Sequence, residues 1–107
     1  MQTKTVPRIT RLKLGTNTLH ALLVNDHPVI TVTPDGLSID PRFGARLSET
    51  VIGDTAYILG CVTLNGVGIV IDATSIAIGG VGTLVGLRVS ELRIQIDDEA
   101  RVHVEVI

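Results

Sequence analysis

NGVGIVIDATSIAIGGVGTLVG, from Asn65 to Gly86, decides what kind of protein this chain is. Glycine stands at 66, 68, 79, 80, 82 and 86, Asp72 is the only carboxylate, and there is no positive charge. A phosphate loop, a membrane span and a series of short strands compete for it. A dinucleotide-binding loop needs G-x-G-x-x-G/A between a strand and a helix, but from Gly66 and Gly68 the third place falls on Ile71. A P-loop needs Gly-Lys-Ser/Thr, and the only lysines are Lys4 and Lys13. A spanning helix needs about 20 apolar residues. The uncharged runs 55–71 and 73–87 are 17 and 15 residues long, and Asn65-Gly66 and Asp72 interrupt them at hairpin positions. Glycine and β-branched residues stand where a helix wants Leu and Ala. Short strands joined by glycine turns explain the stretch, so no membrane span is expected.

The rest of the chain agrees. Its 107 residues amount to one domain, 1–107, and 45% of them are apolar, yet Phe43 and Tyr57 are the only aromatics. A core of Val, Ile, Leu and Ala favours extended backbone. Thr5 to Leu14 reads as a first strand with a slip at Thr10-Arg11, and Thr18 to Val24 as a second apolar run. Thr33-Pro34-Asp35-Gly36 is turn chemistry between Val29–Thr33 and Leu37–Ile39. Asn65-Gly66 suits a type I′ turn, which needs φ > 0 at both central residues. Thr83 to Ile96 reads as a long extended stretch bent near Ser90. In the last hairpin, pairing Ile96 with Val102 puts Leu92, Ile94, Ile96, Val102, Val104 and Val106 on one face. The same register sets Arg93 opposite Glu105 and Gln95 opposite His103. Only residues 41–52 suggest a helix: Asp40 caps, Pro41 takes the first position, and Phe43, Leu47 and Val51 share a face. The fold expected is all-β, a compact antiparallel sandwich or barrel of about seven to nine short strands.

Charge is unevenly spread around a net −2. Residues 1–25 carry Lys4, Arg8, Arg11 and Lys13 and no acid, whereas 88–107 hold Arg88, Arg93 and Arg101 against five carboxylates. A basic start and an acidic end can attract each other, within a molecule or between neighbours. Four cations without interleaved aromatics do not make a nucleic-acid arm, so nucleic acid is not expected as a partner.

No catalytic constellation is visible, and no enzyme is expected. G-x-S-x-G is absent; His20, His27 and His103 lack metal-ligand spacing; no metal or other cofactor is implied. Asp54 and Asp72 flank apolar strands and read as turn acceptors. Cys61 allows no intramolecular disulfide and, between Gly60 and Val62, reads as a buried, inert thiol. MQTKTVPRIT lacks the apolar core of a signal peptide, so synthesis in the cytoplasm is expected. The best binding candidate is DPRFGAR, Asp40–Arg46, where Arg42 and Arg46 flank Phe43 as a fork for phosphate or a partner's carboxylate. Lys4, Arg8 and Arg11 of the basic arm are the other partner-binding candidates. Against both stands the plainer reading, with Phe43 in the core and the arginines solvated.

The texture of VTLNGVGIVIDATSIAIGG, in the region Val62–Ile96, resembles small all-β virion proteins of tailed phages: tail, baseplate-spike and capsid-decoration subunits. That resemblance implies symmetric copies locked edge to edge, with Arg42, Arg46 or the basic arm gripping an acidic neighbour, and incorporation in a virion. The nearly uncharged middle points the same way, because a domain this small has few places to hide a strand on both faces. The expected function is a structural, self-associating β subunit whose partners are its own copies and a larger scaffold. The alternative is a small monomeric or dimeric binding module with a ligand or anion site at Asp40–Gly53.

Overall fold

The computed structural model describes residues 9–107. Twelve strands account for most of them: β1 (Arg11–Leu14), β2 (Asn17–Leu19), β3 (Ala21–Val24), β4 (His27–Thr33), β5 (Gly36–Ile39), β6 (Leu47–Ile52), β7 (Thr55–Leu64), β8 (Val67–Ile71), β9 (Ile76–Ile78), β10 (Gly82–Leu84), β11 (Glu91–Ile96) and β12 (Val102–Val106). One short helix, α1, spans Pro41–Gly44. The class is all-β, as the sequence implies.

The hairpins fall where the turn chemistry puts them. Asn65 and Gly66 take φ of 50° and 82°, and Leu64 pairs with Val67 across them. Thr33 pairs with Gly36 across Pro34-Asp35. In the last hairpin Ile96 faces Val102 and Arg93 faces Glu105, the expected register. Arg93 Nε nevertheless donates to Glu91 Oε2, 2.7 Å away on its own strand.

Three expectations change. There are twelve strands rather than seven to nine, because the runs Thr18–Val24 and Thr83–Ile96 each break in the middle and residues 47–52 add a strand where a helix is expected. The sheets are mixed rather than antiparallel: β1 lies parallel to β7, and β3 parallel to β11. These pairings join residues far apart in the chain, and no turn signal announces them. The helix expected over 41–52 stops at Gly44. Gly44 is a poor helix residue and Thr50-Val51-Ile52 favours extension, but the deciding factor is β7, with which Leu47–Ile52 forms a six-residue antiparallel ladder.

One sheet has seven strands in the path β10-β9-β8-β7-β1-β2, with β6 also on β7; the other runs β12-β11-β3-β4-β5. The chain changes sheets twice at one place. It leaves β2 and enters β3 through His20 alone, and the stretch from Leu87 runs alongside, crossing at Ser90 into β11. The crossings hold each other: the amides of His20 and Ala21 both donate to the Ser90 carbonyl, at 2.9 and 3.1 Å. Two asparagines stitch the paired segments on either side. Buried Asn17 donates to the Leu14 and Leu84 carbonyls and accepts from the Leu87 amide. Asn25 exchanges two bonds with the backbone of Ile96. Each satisfies backbone groups that the irregular crossing would strand.

The core draws on both sheets, with Leu12, Leu14, Ile58, Ile69 and Ile76 from one and Leu22, Ile30, Leu92 and Ile94 from the other. It is almost wholly aliphatic; the one phenylalanine, Phe43, packs against its margin.

Candidate functional site

Arg42 and Phe43 lie where α1 leaves β5. Asp40 caps this helix as the sequence suggests, accepting from the Arg42 amide at 3.0 Å. The same carboxylate takes Arg42 Nε at 3.2 Å and Nη2 at 2.9 Å, and His27 Nε2 donates to it at 2.8 Å. The Arg42 side chain, first of all, and then its backbone amide and His27 hold the Asp40 carboxyl far below the usual carboxylate range. The guanidinium also lies over the Phe43 ring, 5.4 Å from its centroid. Arg42 is therefore engaged within the chain. Arg46 is exposed but sits beyond the end of α1, so the two arginines are not the i, i+4 pair of one helix that the sequence suggests. Phe43 is half-buried against the core margin rather than within the core. Lys4 and Arg8 lie outside the described residues.

Arg11 leads to a different place. On β1, Leu12 and Leu14 point into the core, so Arg11 and Lys13 point out. Lys13 pairs with Thr18 of β2, and Thr18 bridges to Arg88. Lys13, Thr18 and Arg88 thus form one row across three neighbouring segments of the sheet. Beside the row the crossing residues His20 and Ser90 close a cleft of about 550 Å³, which Arg11, Val89 and Ile107 also line. Among the described residues no acidic side chain lines it. The Ile107 backbone oxygen is taken up by the amides of Ser90 and Glu91, at 2.7 and 3.1 Å. Among the described residues neither Lys13 nor Arg88 is in an ion pair with an acidic side chain, and Arg11 has a long one, with Asp54 Oδ2 at 3.5 Å. The Asp54 carboxyl is lowered mainly by hydrogen bonds from the Thr10 and Thr55 hydroxyls, with Arg11 a lesser cause.

A third surface adjoins this cleft. The outer face of β7 and β8 presents Tyr57, Leu59 and Val70, 38%, 45% and 44% exposed, and Ile52 at the end of β6 is 64% exposed. Tyr57 pairs with Lys13 on β1, so the apolar strip and the basic row share one face. Cys61 belongs to this strip and is exposed, contrary to the buried thiol expected, because Ile58, Val62 and Leu64 take the inward positions of the alternation. Strand β6 pairs only with β7, so among the described residues its far edge is open.

Asp72 is the turn acceptor its position suggests: its Oδ1 takes the amides of Thr74 and Ser75, both at 2.8 Å. No group of three or more His, Cys, Asp or Glu side chains able to hold a metal occurs among the described residues. No helix among them is long and apolar enough to cross a membrane.

Sequence reasoning missed Lys13, His20 and Arg88. The alternation at Arg11–Leu14 shows that Lys13 points away from the core, but only the long-range bridge at Thr18 brings Arg88 beside it. No family model, curated protein or solved structure matches this chain.

Proposed function

We propose that the chain is a structural subunit that associates with copies of itself, and with a larger scaffold, in a symmetric assembly of the kind small all-β phage virion proteins build. The observation that carries this reading is the strip Ile52, Tyr57, Leu59 and Val70 on the outer face of the seven-stranded sheet, beside the open edge of β6. Residues 55–71 carry no charge, so a neighbouring copy seated on the strip meets charge only at its Lys13 margin. The amides and carbonyls on the far edge of β6, unpaired among the described residues, offer a template for another strand, and Glu49 is its only charged side chain. The strip supplies contact area that a second copy would remove from water, at about 25 cal/mol per Å².

The test is native mass over a dilution series. Wild type should form discrete multimers or polymers that dissociate on dilution. Leu59→Glu, at a half-exposed position that leaves the core untouched, should weaken association by about tenfold or more without changing the circular dichroism spectrum. A wild-type chain that stays monomeric up to millimolar concentration rules out self-association.

A further inference from the structure

We infer that the cleft between Arg11, Lys13, Thr18, His20, Arg88 and Ser90 binds the phosphate group of a small phosphorylated ligand. Such binding does not depend on self-association. Strands lie about 4.8 Å apart, so Lys13 and Arg88, flanking Thr18, start roughly 10 Å from each other. Arg11, two residues along β1, starts about 7 Å from Lys13. Side chains of that length can converge on one group above Thr18. A guanidinium fork matches the oxygens of a phosphate, and Lys13 adds a point charge. The Thr18 and Ser90 hydroxyls are available as neutral donors.

Three features favour a phosphate over a single carboxylate or a nucleic-acid strand. Three permanent cations meet with no acidic side chain among the described lining residues; the one carboxylate there, that of Ile107, is already held by the Ser90 and Glu91 amides and balances only part of their charge. The contact of Arg11 with Asp54 is long and half-exposed on both sides, so it is easily exchanged for a ligand. The cations form a pocket, not a track, since the sheet face beyond Lys13 is the apolar strip. At about 550 Å³ the cleft has room for more than a bare ion, and Val89 and Ile107 offer apolar contact to an organic portion.

The experiment is an amide-resolved NMR titration of the full chain with inorganic pyrophosphate, ribose 5-phosphate and acetate. Saturable one-to-one binding of either phosphate, with the largest shifts at Lys13, Thr18 and Arg88–Ser90 and none with acetate, is the expected result. Tighter binding of ribose 5-phosphate identifies an organic phosphate ester; tighter pyrophosphate identifies an inorganic one. Lys13→Gln and Arg88→Gln together should weaken binding at least tenfold, whereas Arg101→Gln, at the far end of the β11–β12 hairpin, should not change it. Both cleft substitutions are at the surface, and an unchanged spectrum outside the cleft verifies the fold. Absence of saturation, equal loss in Arg101→Gln, or tighter binding to single-stranded oligonucleotides with affinity rising with length would overturn the inference.

Discussion

Two basic regions of this molecule look alike in sequence and differ in what they have left to bind. At α1, Arg42 and His27 converge on one carboxylate, Asp40, which also caps the helix. At the sheet crossing, Arg11, Lys13 and Arg88 surround open space. The first set of charges is occupied in holding a loop; in the second, Arg11 keeps only a long contact with Asp54, and Lys13 and Arg88 have no acidic side-chain partner among the described residues. The distinction lies in where the acids are. Asp40 stands two residues from Arg42 in the chain and its side chain is only 8% exposed, whereas the cleft gathers cations from separate segments and, among the described residues, only the half-exposed Asp54 comes with them, at 3.5 Å from Arg11.

The contrast is lost most completely through the scaffold of the cleft. Gly15 joins β1 to β2 with φ of 65°, and a Cβ there would run into the backbone of Thr74 and Ser75. Gly15→Ala should cost about 2–4 kcal/mol in urea unfolding, because backbone cannot move aside as a side-chain tip can. An unchanged midpoint would mean that the turn of Ser75 shifts freely.

Asp40→Ala approaches the same contrast from the other region. It removes the cap and should lower the melting temperature by a few degrees, while leaving the cleft intact. It also frees Arg42 and His27 beside a second cleft of about 380 Å³ near Phe43. A second, weaker pyrophosphate-binding step with shifts at the Arg42 and Phe43 amides is expected; its absence would show that two surface cations do not suffice without the sheet row.

Acid should act through the engaged carboxylates. Asp40, Asp54, Asp72 and Asp97 are all lowered in the folded chain, so their stabilisation is complete above the unfolded value near 3.9 and is lost as pH falls through the folded values. Wild type should lose stability progressively below about pH 4. Asp40→Asn, which keeps the shape but not the titration, should show a shallower loss in the same denaturation series.

The smallest effect is at Gly44, where an added Cβ would meet nothing within 4 Å. Gly44→Ala should stabilise the chain by about 0.5 kcal/mol by favouring the short helix and restricting the unfolded state. Destabilisation there would mean that α1 needs a glycine for a reason its surroundings do not show.

The class and the local pairings were legible in the amino acids alone. Val and Ile in place of aromatics, Asn65-Gly66 at a two-residue turn and strict alternation from Leu92 to Ile96 are short-range signals. Each is physically sufficient: a turn needing positive φ, or a face that a one-residue slip would turn to water. Asp40 as a cap was legible for the same reason. Long-range packing settled the parallel pairings β1–β7 and β3–β11, the conversion of 47–52 from helix to strand, and the meeting of Lys13 with Arg88. Each joins residues whose own neighbourhoods say nothing of the other, because a parallel ladder has no turn to mark its register and an edge strand takes its conformation from the partner that satisfies its amides.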